Sequence, residues 1–470
     1  MTNTRRVLAC ALRLLTTIAV PVMVASDGDF AGPARAAAPA APAAAPSSAP
    51  TADGIWISAA ELARLPTDTS AWVEVKKAAD GDLGEPNMAG YNANHDVATL
   101  AVALVYARTG DGAYRARAAD AIMSAIGTED TGLRKGKGSE RGALAVTVAR
   151  NLVSYVIAAD LIDLAGHDPD MDGTFRRWIA EIRHVDYPDR SVIENDEIRA
   201  NNHGRMAGAS RLAVALYLDE AEEVERTATV LRGILGDRAA HDGFDFPKDR
   251  SWQEEPDRPL AVNRRGASKD GFSIDGAMPE EMRRGCEFRV PPCPTGYPWE
   301  ALQGIVVEAV MLTRRGHDVW RWSDRAILRA VEYLDFLRRT YPDQVWWATG
   351  DDRWVPWVVN HAYGTEFLTE APGGRAGKNM GWTDWSHADG DCRAGSLQGC
   401  SADRHCGDVD GNGKISAADA LLVLKHAVGE AVECPPARCD VDRSGAVSVT
   451  DAFAILVAAV GGPIELSCPG

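Results

Sequence analysis

Three short stretches place amide, imidazole, guanidinium and phenol groups at the heads of otherwise apolar segments. In "NNHGRMAGASRLAVALYL", Asn201, Asn202 and His203 precede a run of alanine, leucine and valine. In "GYNANHDVATLAVALVYARTGD", Tyr91, Asn94 and His95 stand in the same relation to the next apolar run. In "DGAMPEEMRRGCEFRVPPCPTGYPWEALQGIVVEAVML", Arg283, Arg284 and Arg289 precede Tyr297 at the head of a third. A helix that begins with Asn and His presents polar side chains and free backbone N–H groups, which together attract a carboxylate. Taken alone, each stretch also reads as a capped helix with a satisfied rim histidine.

The combination suits one reaction, β-elimination on a uronic acid polymer. The hydrogen at C5 is weakly acidic until the neighbouring carboxylate is neutralised and the developing charge is stabilised, a task for amide donors and an arginine. Asn202 and Arg284 fit it. A base then takes the C5 proton and an acid protonates the glycosidic oxygen at C4, roles for Tyr297 and His203 if their pKa values are tuned toward neutrality. The chemistry requires no metal. Asn201, Asn94, His95, Tyr91 and Arg289 are the expected substrate-binding residues, and His361 and Tyr363 are spare candidates. Arg141 and Arg150 lie in long helical segments, where a solvated face or a buried ion pair is the expected fate. The tryptophans of "VWWATGDDRWVPWVVNHAYG" and "GWTDWSH" either stack on sugars or fill a core.

These residues need helices to hold them. From about Ile55 to Tyr363 the apolar residues recur at helical spacing, as in "VATLAVALVYART", "GALAVTVARNLVSYVIAADLIDLAG", "ALQGIVVEAVMLTRRG" and "RAILRAVEYLDFLRRT". Strand-like alternation is scarce. Paired antiparallel helices joined by Gly- and Asp-rich turns predict an all-α fold, an α/α toroid or incomplete barrel over residues 53–390, with the connecting loops forming its mouth. Residues 31–52 are Ala/Pro-rich and read as a linker. The start of the chain, a basic "RR" followed by an apolar run and small residues, reads as a secretory signal over residues 1–37, leaving a linker at 38–52 and no membrane span in the mature chain.

At 470 residues and 46% hydrophobic composition the chain is long enough for more than one domain and a sizeable core. Its formal net charge of −17 argues against general nucleic-acid binding, which needs a basic face. Setting aside Cys10, the cysteines are Cys286, Cys293, Cys392, Cys400, Cys406, Cys434, Cys439 and Cys468, an even set crowded toward the C-terminus, as expected for disulfides in a secreted protein. Cys286 with Cys293, and Cys392 with Cys400, are close enough to staple local loops, and the spacing does not choose among the other pairings.

Beyond a Gly/Asp/Cys-rich linker at 391–405, residues 406–470 carry a duplicated pattern, "DVDGNGKISAAD" and "DVDRSGAVSVTD". Both have calcium-loop spacing. Asp408, Asp410, Asn412, the Lys414 carbonyl, Ser416 and Asp419 fall at ligand positions of the first, around Gly413. Asp440, Asp442, Ser444, the Ala446 carbonyl, Ser448 and Asp451 do so in the second, around Gly445. Each loop leads into an apolar helix, and two Ca²⁺ ions are expected. The duplicated loop-helix with Asp at the last ligand position resembles a type I dockerin over roughly residues 406–462. The resemblance implies calcium-dependent folding and a cohesin-type protein partner, or a related clasp within the chain. The flanking cysteines are unusual for that family.

"ANNHG" opening one apolar helix and "DG…PEEMRR…Y" before another together resemble the alginate lyase superfamily of polysaccharide lyases, over roughly residues 85–365. That resemblance implies an α/α toroid and a site in which Asn202, His203, Arg284 and Tyr297 act on a uronate polymer, alginate or glucuronan-like. Two departures stand out. "CEFRVPPC" lengthens the path from Arg284 to Tyr297, which makes Arg289 an alternative clamp, and "HGRMAG" lacks the aromatic residues common after the histidine. Competing readings are a glycoside hydrolase on an α/α barrel, using carboxylates such as Asp96, Asp275, Glu280 or Glu300, and a non-catalytic glycan-binding surface protein.

Overall fold

The computed structural model describes residues 54–129, 144–187, 190–370 and 377–388, and 406–468 apart from 408, 410–414, 431, 433, 435, 461, 463 and 465. The expected signal, both expected linkers, Arg141, Cys392 and Cys400 lie outside the described residues. In chain order the helices are α1 (Ala59–Arg64), α2 (Ser70–Asp80), α3 (His95–Thr109), α4 (Gly112–Ala125), α5 (Leu144–Leu161), α6 (Leu164–His167), α7 (Pro169–Ile182), α8 (Val192–Ile198), α9 (Asn202–Leu218) and α10 (Ala221–Ile234). A short antiparallel ribbon, β1 (Ser268–Lys269) and β2 (Phe272–Ser273), precedes α11 (Pro279–Met282), α12 (Tyr297–Thr313), α13 (Trp322–Thr340), α14 (Val355–Tyr363) and α15 (Thr383–Ser386). The C-terminal segment adds α16 (Ala417–Ala427), α17 (Pro436–Cys439) and α18 (Val449–Ala459).

The helices sort by composition. Those apolar on every side, α3, α5, α9 and α12, are buried along almost their whole length, because no face of them gains from water. Among the described residues α5 is the one helix long and apolar enough to cross a membrane, and it is packed inside the core. In contrast, α2, α4, α7, α10 and α13 bury one face and expose the other. Local signals set their ends. Asp111 caps α4 and Asp168 caps α7, whose first residue is Pro169, while Gly110 stops α3 at φ 73°.

Packing follows chain order. α3 lies on α5, α5 on α9, α9 on α12 and α12 on α14; α15 touches both α14 and α2, and α2 returns to α3. Tryptophans in the closing segment fasten that return. Trp382 Nε1 donates to the Val97 carbonyl at 2.9 Å and Trp385 Nε1 to the Pro66 carbonyl at 2.8 Å, with Trp385 also against the ring of Trp72. One hydrophobic cluster runs from Ile55 to Trp385, and a second, separate cluster spans Cys406–Cys468.

The contact of α9 with α12 is the closest of these. A Cβ on Gly304 would lie 2.2 Å from the Arg205 carbonyl oxygen, and one on Gly208 would meet the carboxyls of Asp196 and Glu308 at under 3 Å. Glycine is required at both positions. The buried Arg205 side chain reaches Asp196 on α8 at 3.0 Å and Glu308 on α12 at 3.2 Å, and Arg211 adds a second bond to Asp196 at 2.9 Å. Burial pushes the Glu308 carboxyl well above the ordinary carboxylate range.

Two substitutions test this contact by urea unfolding followed through tryptophan fluorescence. Arg205→Met strands buried carboxyl groups and should destabilise the helical part by about 3–5 kcal/mol. Gly304→Ala forces backbone apart and should cost about 1–3 kcal/mol or more. Wild-type midpoints for both would show that the α9–α12 contact does not depend on these residues.

Candidate functional site

Asn201 is the N-cap of α9, and its side-chain oxygen accepts from the His203 amide at 3.2 Å. Asn202, the first helical residue, is buried and commits its amide twice: Oδ1 accepts from Arg284 Nη1 at 2.7 Å, and Nδ2 donates to Glu300 Oε2 at 2.9 Å. Arg284 comes from the turn after α11, and its guanidinium carbon sits 3.2 Å from the ring centroid of Tyr297, the first residue of α12. Arg284 and Tyr297, thirteen positions apart, thus share one cluster with Asn202, 82 positions before Arg284. Arg284 Nη1 also meets Glu281 Oε2 at 3.4 Å, and no hydrogen bond from Nε or Nη2 to another side chain is present among the described residues.

One expectation is corrected at this point. The backbone N–H groups at the head of α9 were expected to receive a substrate carboxylate, but the Asn202 amide donates to the buried carboxyl of Glu281 instead. The protein fills its own helix N-terminus. Burial pushes Glu281 up to about 8, opposed by Arg284, so this carboxyl holds its proton at neutral pH.

His203 lies beside this cluster. Burial first, and then the charges of Arg284, Arg199 and Arg150, lower its pKa to about 4. It is therefore a neutral imidazole at neutral pH, shifted below the ordinary histidine range and not toward neutrality as the acid–base role was expected to require.

Arg150, expected to be a solvated or ion-paired helix residue, is buried on α5 and projects toward the same region. Its Nη2 meets Asp351 at 3.1 Å, and its guanidinium lies 4.2 Å from the ring centroid of Tyr91. Burial raises the Tyr91 phenol above its ordinary value, with Arg150 opposing. Glu300 and Asp351 also act on Tyr91 electrostatically, which ties the loop before α3 to the heads of α9 and α12. Glu281, Arg150 and Asp351 were missing from the expected site, and Glu300 was named only for the competing hydrolase reading. An arginine inside the apolar "LAVTVARNLVSYVIAADL" and acidic residues in the buried first turns of α11 and α12 were the signals that could have found them.

The remaining expected residues are placed otherwise. His95 is 5% exposed in the core, with Nδ1 2.7 Å from the Tyr155 hydroxyl, because its helix is buried from its first turn. Asn94, at the N-cap of α3, is exposed and makes no side-chain cap bond. Arg289 is exposed on the segment between Cys286 and Cys293 and is not joined to Asn202 or Tyr297 by any described contact, whereas Arg284 touches both. Tyr363 is bound to the Trp320 carbonyl at 2.8 Å, and His361 packs on His387. Of the carboxylates weighed for hydrolysis, Asp96 lies near Lys378, Asp275 pairs with Arg329 and Glu280 pairs with Arg283.

The C-terminal segment repeats one framework twice. Asp419 accepts from the Val409 amide at 2.8 Å and from the Ser416 amide and hydroxyl at 2.9 Å; Asp451 accepts from the Val441 amide at 2.8 Å and from the Ser448 amide and hydroxyl at 2.8 and 2.9 Å. Asp408, Asp410, Asn412 and Lys414 lie outside the described residues. In the second loop, Asp440, Asp442 and Asp451 bring carboxylate oxygens within 4.8 Å of one another. Backbone amides of Ser444 and Gly445 hold the Asp440 carboxylate, and Gly445 turns the chain at φ 85°. Three carboxylates this close, with the Ala446 carbonyl beside the Ser444 hydroxyl, form a hard oxygen set that fits Ca²⁺. Helices α16 and α18 pack together, and disulfides Cys406–Cys468 and Cys434–Cys439 close the segment.

The helical part of the chain, including the cluster around Asn202, falls outside the family match at residues 406–457, and no curated protein matches the chain. The C-terminal framework is accounted for: residues 406–457 match the Dockerin type I domain, a domain that binds calcium and docks on cohesin partners.

Proposed function

We propose that residues 53–390 form an α/α toroid that cleaves a uronate-containing polysaccharide, alginate or glucuronan-like, by β-elimination, and that the dockerin attaches this enzyme to a cohesin-bearing partner outside the cell. The observation that carries the reading is the contact of Asn202, Arg284 and Tyr297. The closed order of helix packing supports the toroid. In the proposed reaction the uronate carboxylate lies against the Nε and Nη2 edge of Arg284 and the second N–H of the Asn202 amide. The base takes the C5 proton, that electron pair forms the C4–C5 double bond, the C4–O bond breaks, and the leaving oxygen takes a proton from the acid. His203, neutral at working pH, and Tyr297, stacked on a cation, are the groups for these transfers.

Glu300 and Asp351, both near Tyr91, favour a second reading, hydrolysis by paired carboxylates. A panel of acidic polysaccharides separates the two. Elimination appears as growing near-ultraviolet absorbance from the conjugated unsaturated uronate; hydrolysis gives new reducing ends without it.

For the dockerin, exposed apolar side chains recur at matching places on the two helices, Leu421, Leu424 and Val428 on the first, Phe453, Leu456 and Val460 from the second. Such a stripe on a small calcium-held domain suits a protein partner. We propose two Ca²⁺ ions. They supply the positive charge that lets the clustered carboxylates coexist.

Asn202→Ala should lower turnover about 10²-fold or more, as loss of an oxyanion-type donor does. Tyr297→Phe keeps the ring under Arg284 and should lose roughly 10²-fold in kcat with little change in oligosaccharide affinity. Near-wild-type turnover of Tyr297→Phe would remove tyrosine from the mechanism. If His203 is the base, the rate should be level through the ordinary histidine range and fall only as pH drops toward about 4, where the imidazole gains its proton; an acid limb near 6.5 would assign it to another group.

Chelation should lower the melting temperature of the dockerin alone, and Asp408→Ala with Asp440→Ala should imitate it. All 13 tryptophans precede residue 390, so a fluorescence melt reads the helical part and should not move. A tryptophan transition that falls with chelation would contradict this division of the chain.

A further inference from the structure

Thirteen positions separate Arg284 from Tyr297, yet their side chains are in stacking contact. Between them lies an eight-residue segment, 286–293, which extended would span about 25 Å. The Cys286–Cys293 disulfide reduces that to a Cα–Cα distance of 5.7 Å. Backbone closes behind it: a Cβ on Gly285 would lie 2.7 Å from the Cys293 carbonyl oxygen.

The base of the loop is also anchored to the segment before α11. Trp252 Nε1 donates to the Cys286 carbonyl at 2.9 Å, and the Phe288 amide donates to Ser251 Oγ at 3.0 Å. The Phe288 ring packs edge-on against Trp252 at 5.0 Å between centroids and faces Phe272. Glu287, Arg289 and Val290 point outward. The loop therefore uses one aromatic side chain to hold on and contributes no described contact to the Asn202 cluster.

We propose that the Cys286–Cys293 bridge, seated by Phe288, is a positioning device that holds Arg284 on the face of Tyr297. The proposal rests on the lyase reading for its effect on rate, but its structural content stands apart from it. Disulfides elsewhere in the chain make a reductant uninformative, so the test uses substitution in the full chain.

Cys286→Ser with Cys293→Ser should leave the tryptophan-fluorescence melt within a few degrees of wild type while kcat on the uronate polymer falls about tenfold or more and KM stays within about twofold. In an Arg284→Ala background, loss of the bridge should cost little further, because the group it positions is gone. Hydrogen exchange at the amides of 283–285, Tyr297 and Trp299 should quicken about tenfold or more, with α9 unchanged. Should the serine pair not fold, Phe288→Ala, which unseats the loop and keeps the bridge, should move kcat and exchange in the same direction. Unchanged exchange in these segments overturns the proposal whether or not the protein is a lyase. Unchanged kcat, or equal losses with and without Arg284, overturns the positioning role. Wild-type protein inactive on every uronate polymer would refute the lyase reading and leave the exchange result to decide the bridge.

Discussion

The guanidinium of Arg205 lies between Asp196 and Glu308 while its own carbonyl rests against Gly304, so charge and backbone packing act at one place. A buried cation with its carboxyls tolerates little sliding, because displaced partners lose bonds that water cannot replace. Gly304 adds a steric stop. Arg205 is three residues after Asn202 and Gly304 is seven after Tyr297, so the lock sits about 4.5 Å and about 10.5 Å along the two helices from the residues it registers. The heads of α9 and α12 are brought side by side from there. Glu281 then ties the turn carrying Arg284 to the first amide of α9, and the cluster is complete.

Its electrostatics follow from how each charge is answered. Arg284 gives one nitrogen to Asn202 and to Glu281, and Arg150 is balanced by Asp351 while covering Tyr91. Burial raises the Glu281 carboxyl while Arg284, 3.4 Å away, opposes the rise, and His203 is held neutral by burial first and then by the neighbouring cations. Within a chain of formal charge −17 this cluster thus gathers Arg284, Arg150 and a neutral His203. Glu300 is the exception, an acceptor for Asn202 that an incoming carboxylate would meet or replace.

The helices were legible because apolar residues at helical spacing leave little choice, and the wholly apolar runs became the innermost elements. Cys286 with Cys293 was legible from short spacing and isolation from the other cysteines; Cys434–Cys439 is closer still in sequence but sits in a crowded set with other possible partners, and Cys406–Cys468 spans 62 residues that only the fold brings together. Asn202, Arg284 and Tyr297 could be named from type and place, but their contact depends on a packing register that no local pattern encodes. His95 shows the limit. Its place at a helix head matches that of His203, yet its imidazole is buried against the Tyr155 hydroxyl. Arg150 was passed over for the reverse reason: an arginine amid apolar residues reads as a buried pair, and only the fold shows that Tyr91, Asp351 and His203 surround it.

The dockerin repeats the same logic at small scale, with Asp419 and Asp451 each binding the amides that shape its loop. The account turns on whether the Asn202 cluster receives a uronate. A crystal structure of the full chain carrying Tyr297→Phe, grown with an acidic oligosaccharide that the wild type degrades, answers this most directly. The account predicts a uronate carboxylate within hydrogen-bonding distance of Arg284 and Asn202, with C5 facing position 297 or His203. A sugar bound elsewhere, or bound here with its carboxylate turned to solvent, would contradict it.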